Sequence, residues 1–268
     1  MRYDYPSGRP LPPGLITENY TSDVELGRLK SGKEADVFVV ERSGPTGSCL
    51  LAAKRYRPAQ HRDFKNDAAY RAHRRIDGFV RDADGMRRRK QGRSLQLAMD
   101  KKTAYGREKL HERWIQAEFD MLTQVWEAGA PVPYPVERLS DGILMEYVGD
   151  REQAAPRLVD VRPTSAELAD LYEQTAEALR GFVRAGVVHA DLSPYNMLVW
   201  EGRVWVIDLP QAVTLLENSD ATDFLHRDVF NVAAWFVRRG LDIDPEDLFV
   251  TMVNEAFDLT MKDLFRAQ

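Results

Sequence analysis

The chain has 268 residues, with 37 Lys and Arg against 42 Asp and Glu, a formal net charge of -5 and a pI near 5.7. That length suits one two-lobed domain or two small ones. The single cysteine, Cys49, excludes an internal disulfide and a cysteine-built zinc site and points to a reducing cytoplasm. No apolar run approaches the roughly 20 residues that span a bilayer, and the polar start MRYDYPSGRPLPPG is unlike a signal peptide, so a soluble cytoplasmic chain with no membrane partner is expected.

Residues 1–22 read as an N-terminal extension. Alternation of apolar and polar residues then predicts strands at Val24 to Leu29, Ala35 to Glu41 and Cys49 to Tyr56, the last two joined by the turn-like SGPTGS. A basic block follows. From Arg62 to Arg113 there are 16 Lys plus Arg against 8 Asp plus Glu, a balance of +8 that leaves -13 for the rest. Its mixed charge and few aromatics fit a solvated, mobile insertion over about 62–106, with Ser94 and Thr103 as its hydroxyl-bearing candidates for autophosphorylation; a nucleic-acid arm is the other reading.

Lys109 to Glu127 reads as a helix, with Trp114, Phe119 and Trp126 at helical spacing as core residues. The proline-rich APVPYP breaks it, and ILMEYV reads as a buried strand ending near Gly149. A capping-box pattern, Thr164 with Glu167, opens the next helix, which Gly186 closes. Two short strands, Met197 to Trp200 and Val204 to Leu209, are joined by Glu201-Gly202-Arg203. Helices at Asp220 to Arg239 and Glu246 to Phe257 finish the chain. The expected fold class is α+β in two lobes: an antiparallel sheet with one helix over 23–147, and a reduced, mainly helical lobe over 148–268.

The chemistry concentrates after Gly186, in VHADLSPYNML. Phosphoryl transfer from a nucleotide needs a group to accept the proton of the incoming hydroxyl, and hard oxygen donors to hold a divalent cation against the phosphates. Asp191 supplies the first carboxylate; Asn196, five residues on, an amide oxygen; Asp208, after the apolar VWVI, the second carboxylate. Upstream, Ser31-Gly32-Lys33-Glu34-Ala35-Asp36 lies between two strands and can offer backbone N–H groups to phosphates, though with one glycine where common protein kinases have three. Lys54 ends LLAAK as the lysine of a V-A-I-K strand does, and Glu118 in WIQAEFDML is the carboxylate expected to hold it. His189 reads as a brace for the loop, and the remaining histidines show no zinc spacing.

These residues resemble the RIO family of atypical serine/threonine protein kinases, in the small form without a winged-helix domain. The resemblance rests on SGKEADVFVV, on HADLSPYNML with Ser193 where ordinary kinases have lysine, and on VIDLPQAV in place of an Asp-Phe-Gly motif; it covers roughly Val24 to Gly240. It implies Asp191 as proton acceptor, Asn196 and Asp208 as ligands of Mg²⁺ or Mn²⁺, and Lys54 on ATP. Ser31 to Asp36 would cover the triphosphate, and Met145, Glu146 and Tyr147 would form the hinge beside the adenine. It also implies ATP hydrolysis and a phosphoryl group resting on Asp208 as an aspartyl-phosphate. Larger relatives act in ribosome maturation, for which the basic insertion would suit a ribonucleoprotein partner. Two rival functions share parts of this pattern: a small-molecule phosphotransferase resembling aminoglycoside or choline kinases, and a non-catalytic nucleotide-binding scaffold.

Overall fold

The computed structural model describes residues 9–18, 20–57, 104–216 and 218–266. The basic block up to Thr103, with Ser94, lies outside the described residues. Strands β1 (Ser22–Ser31), β2 (Ala35–Gly44) and β3 (Gly47–Tyr56) form an antiparallel meander. The β2–β3 turn is tighter than SGPTGS suggests, because Gly44 pairs with Gly47 and only Pro45 and Thr46 stay outside the ladder.

Helix α1 (Ala104–Glu127) begins inside the stretch assigned above to the insertion and packs on β4 (Pro135–Arg138) and β5 (Gly142–Glu146). The sheet order is β1-β2-β3-β5-β4. Strand β4 was not expected, since its sequence opens on proline; a proline is tolerated as the first residue of an edge strand, where no ladder N–H is needed from it. Strand β5 stops at Glu146 rather than running on to Val148.

β3 is central and buried: Leu51, Ala52, Ala53 and Lys54 are all under 9% exposed. The close approach of β5 requires Gly142, because a Cβ there would stand 1.9 Å from the Lys54 carbonyl oxygen. The backbone carrying Lys54 is therefore fixed by a residue with no side chain.

After a 3-10 turn (Leu158–Asp160), helix α2 (Ser165–Arg184) starts with the capping box: Thr164 Oγ accepts from the Glu167 N–H, and the Glu167 carboxylate accepts from the Thr164 N–H. Leu168, Leu171, Ala178, Leu179 and Phe182 form its buried stripe. β6 (Val187–Val188) pairs with β9 (Val213–Thr214); two-residue strands carry no periodicity to read. β7 (Met197–Trp200) and β8 (Arg203–Val206) form a hairpin whose turn residues, Glu201 and Gly202, both have positive φ, the conformation a two-residue turn demands. Helices α3 (Ala221–Val237) and α4 (Pro245–Arg266) complete the helical lobe, α4 running well past the expected end at Phe257.

The main hydrophobic core runs through both lobes, from Ile115, Val125 and Ile143 to Leu179, Met197 and Phe236, and a smaller cluster of Val40, Leu51, Ala53 and Leu144 lies in the sheet. The connection after α1 is bolted to the helical lobe. Val206 N–H donates to Pro131 O at 2.8 Å, and Gly181 lets Ala130 approach to 2.9 Å from where a Cβ would sit. Residues 9–18 strap the outside of the strand-rich lobe: Ile16 is buried and its N–H reaches Cys49 Sγ, while Leu15 packs into the core.

Candidate active site

Strand periodicity places Lys54 and Tyr56 on one face of β3, toward α1. The Lys54 ammonium donates to Glu118 Oε1 at 2.7 Å and to Asp208 Oδ1 at 2.6 Å. Tyr56 donates its hydroxyl to Glu118 Oε2. Burial works against the charge on Lys54, but Asp208 and Glu118 outweigh it and hold its pKa well above the ordinary lysine value. The same ammonium draws Asp208 below the usual carboxylate range. Burial, and then Glu118, push the Tyr56 hydroxyl well up.

Asp208 does not close its strand as expected. β8 ends at Val206, and Asp208 follows in left-handed backbone, φ 73°, which costs a residue with a Cβ about 1 kcal/mol or more. That turn swings its carboxylate back to Lys54 while the side chain keeps 42% of its surface exposed.

The loop between β6 and β7 is held from below. Asp228 of α3, fully buried, accepts the Ala190 N–H at 2.7 Å and the Leu192 N–H at 2.9 Å, so the main chain is held on both sides of Asp191. Arg227 caps the Ala190 carbonyl, and Ala190 itself has φ 63°. Burial drives the Asp228 carboxyl up to about 7 against the pull of the two N–H groups. Buried His189 sets Nε2 3.1 Å from Ile207 O, tying the loop to the segment that carries Asp208; burial lowers its pKa.

Asp191 is left exposed at the loop surface. Asn196 Nδ2 donates to Asp191 O at 2.9 Å and Oδ2 at 3.3 Å, and Ile207 N–H donates to Asn196 O at 2.9 Å. With its amide nitrogen committed to Asp191, Asn196 turns its amide oxygen the other way. That oxygen and the Asp208 carboxylate are hard donors that fit Mg²⁺, which takes few protein ligands and completes its shell with phosphate and water.

The segment Ser31 to Asp36 is a closed turn, with Gly32 N–H on Ala35 O at 2.9 Å. Arg57 clamps its ends, reaching Ser31 Oγ at 2.8 Å and Asp36 Oδ1 at 2.9 Å, and lowers the Asp36 pKa. Ala35 is buried, Gly32 and Glu34 are half-buried and Lys33 is exposed. Met145 lines a cleft with Lys54, Glu118, Ile207, Asp208 and Leu209. The Glu146 carboxylate points elsewhere, accepting the Tyr134 N–H at 3.0 Å; burial raises its pKa. Tyr147 is half-buried.

Asp228, Arg227, Tyr56 and Arg9 were missed in the sequence. Asp228 had a signal: it is an acidic residue at the core spacing of Leu225, Val229 and Val232. Tyr56 had a weaker one, two residues after Lys54 on a strand. Arg9 had none. Its guanidinium stacks 4.7 Å over Trp126 and donates to Trp126 O at 2.6 Å and Ala130 O at 3.0 Å.

The family model of the RIO domain matches residues 80–248. The chain is 41% identical over 136 residues to the RIO-type serine/threonine-protein kinase Rio1 of Haloferax volcanii, covering 51% of this chain and 46% of that protein. It is 30% identical over 238 residues to the serine/threonine-protein kinase RIO1 of Chaetomium thermophilum, covering 85% of this chain and 42% of that one. The chain thus spans less than half of either relative. The crystal structure of the Rio2 kinase from Chaetomium thermophilum shares the fold, with a TM-score of 0.52 at 17% identity, over 90% of this chain and 73% of the other. Lys54 and the Ser31 to Asp36 turn lie outside the family match, but the Lys54 ion pairs to Glu118 and Asp208 join them to it.

Proposed function

The chain belongs to the RIO domain family, and on that premise we propose that it is an ATP-dependent serine/threonine protein kinase and ATPase, moving the γ-phosphate of ATP to protein hydroxyls, its own included. One observation carries this reading: Lys54, Glu118 and Asp208, drawn from both lobes, meet at a single cleft, and the Asp191–Asn196 loop is tied to the Asp208 segment through Ile207. In it Lys54 contacts the phosphates, Glu118 keeps the ammonium in place, and Met145, Glu146 and Tyr147 line the adenine end. Ser31, Gly32, Lys33, Glu34 and Ala35 cover the triphosphate. Asn196 and Asp208 hold Mg²⁺, with Mn²⁺ as a substitute; the bound cation would neutralise charge on the transferred phosphoryl group.

Asp191 orients the acceptor hydroxyl and takes its proton as the oxygen attacks phosphorus and ADP leaves. Its exposed carboxylate, pinned at the main chain by Asp228 and Asn196, suits that role. Asp208 is a nucleophile as well as a ligand in the switch-like version of this activity. Its carboxylate attacks the γ-phosphorus, ADP departs, and water clears the aspartyl-phosphate. The basic block, and a cytoplasmic setting, suit a ribosomal or other RNA–protein partner through charge alone.

The test offers γ-labelled ATP with Mg²⁺ together with protein, RNA and small alcohols. Label on protein serine or threonine supports the kinase. Label on a small alcohol would move the chain to the aminoglycoside and choline kinase type, and no phosphate release at all would leave a nucleotide-binding scaffold. Hydroxylamine, which cleaves acyl phosphates and spares phosphoserine, reports separately on Asp208.

A further inference from the structure

Four side chains form a square between β3 and α1. On the strand, Lys54 and Tyr56 are two residues apart and face the helix; on the helix, Trp114 and Glu118 are one turn apart and face the strand. Lys54 meets Glu118 Oε1, and Tyr56 meets Glu118 Oε2, so the carboxylate is gripped on both oxygens from one strand. The Tyr56 ring stands edge-on to Trp114 at 4.2 Å, with the Lys54 ammonium 5.3 Å from its centroid. All four residues are under 9% exposed.

The contact that joins this cluster to the cleft runs from Lys54 to Asp208, whose carboxylate is half-open. We infer that Tyr56 is a positioning residue for phosphoryl transfer: its hydroxyl anchors Glu118, so that Lys54 keeps that carboxylate when it exchanges Asp208 for a nucleotide phosphate. This rests on the functional reading above. A carboxylate held by Lys54 alone would follow the ammonium as it moves. Held also by Tyr56, whose ring is wedged against Trp114, it stays where β3 and α1 put it, and the ammonium pivots about a fixed point. Two contacts, one on each oxygen, fix a carboxylate's rotation as well as its position; a single contact leaves it free to turn.

The test is Tyr56→Phe, which keeps the ring and its packing on Trp114 and deletes the hydroxyl. In nucleotide-free protein treated with limiting acetic anhydride, acetylation of Lys54 is read by peptide mass spectrometry against exposed Lys33 in the same sample. The ratio of Lys54 to Lys33 labelling should rise several-fold in Tyr56→Phe, and kcat for phosphoryl transfer should fall roughly tenfold. Glu118→Gln guards against a folding artefact. If Tyr56 acts through Glu118, the double variant Tyr56→Phe/Glu118→Gln loses no more than Glu118→Gln alone. An unchanged labelling ratio, an unchanged kcat, or losses that multiply in the double variant would each overturn the inference. Should the wild-type protein transfer no phosphate, the kinase reading falls, and the labelling ratio by itself still decides whether Tyr56 anchors the Lys54–Glu118 pair.

Discussion

At the scale of single residues, the proposed site sets an exposed carboxylate, Asp191, on a loop that buried groups hold still. Asp191 is exposed and the peptides on either side of it are held by Arg227 and Asp228, so Asp191→Ala should remove the proposed proton acceptor without disturbing the nucleotide cleft. Transfer should fall by roughly 10²–10⁴-fold while the affinity measured by nucleotide titration stays within a few-fold. Asp228 sets a pH dependence. Its folded pKa, about 7, lies above the unfolded carboxylate value, so the native state holds the proton more tightly. The Asp228 contribution is therefore complete below about pH 4 and is lost as pH rises toward 7, at up to about 1.4 kcal/mol per pH unit. Denaturant unfolding of wild type and Asp228→Asn across pH 4.5 to 7.5 checks it. The wild-type advantage should shrink as pH rises, and a constant difference would show that the carboxyl is ionised throughout.

At the scale of elements, α1 matters most because it carries Glu118, and its C-terminal end is where Arg9 docks. The guanidinium adds a charged donor to the Trp126 and Ala130 carbonyls at and beyond the helix end, which also accept the Gly129 and Val132 N–H groups, and stacks on Trp126. Hydrogen bonds from a charged donor and a cation–π contact at a half-buried site together contribute about 2 kcal/mol. Arg9→Met, which keeps the aliphatic stem, should lower unfolding free energy by about that amount in urea titration, with Arg9→Lys recovering part of it. The hairpin β7–β8 is similarly tethered, since Gln174 donates to Gly202 O at 2.7 Å and accepts the Val204 N–H at 2.9 Å. That tether from α2 holds the hairpin whose two strands run from Asn196 and toward Asp208.

At the scale of the whole molecule, the cleft belongs to neither lobe alone. Lys54 comes from the sheet and Asp208 from beyond β8, 154 positions later, so a nucleotide seated between them would bind the assembled chain and not its unfolded state. ADP with Mg²⁺ at about 100 times its dissociation constant should then stabilise the protein by about 2.7 kcal/mol, seen as a rise in melting temperature. Lys54→Met should abolish most of that rise by removing the point charge from the phosphates. A full rise in the variant would show that the nucleotide sits elsewhere.

Much of this could be read before any coordinates. Thr164 and Glu167 announce a helix start because a capping box is local chemistry, and Ala35 to Tyr56 announces a hairpin because strand alternation and a proline–glycine turn are local too. The loop residues Asp191 and Asn196 are five apart and share a short segment, so their association follows from chain connectivity. Other features needed the assembled fold. The opening proline of β4 hides a strand that only pairing with β5 reveals. The left-handed turn at Asp208 is imposed on a residue that does not prefer it, and only its ion pair with Lys54 explains the cost. Asp228 looks like a misplaced charge in an apolar stripe until the Ala190 and Leu192 N–H groups are set against it. The sequence by itself determined most of the elements and the candidate site residues, because propensity, spacing and caps act within a few residues. Which of those side chains meet, and which silent neighbours such as Tyr56 and Asp228 hold them, was decided by tertiary structure. A contact across 38 or 154 positions becomes specific only once the fold has brought the partners together and taken at least one of them out of water.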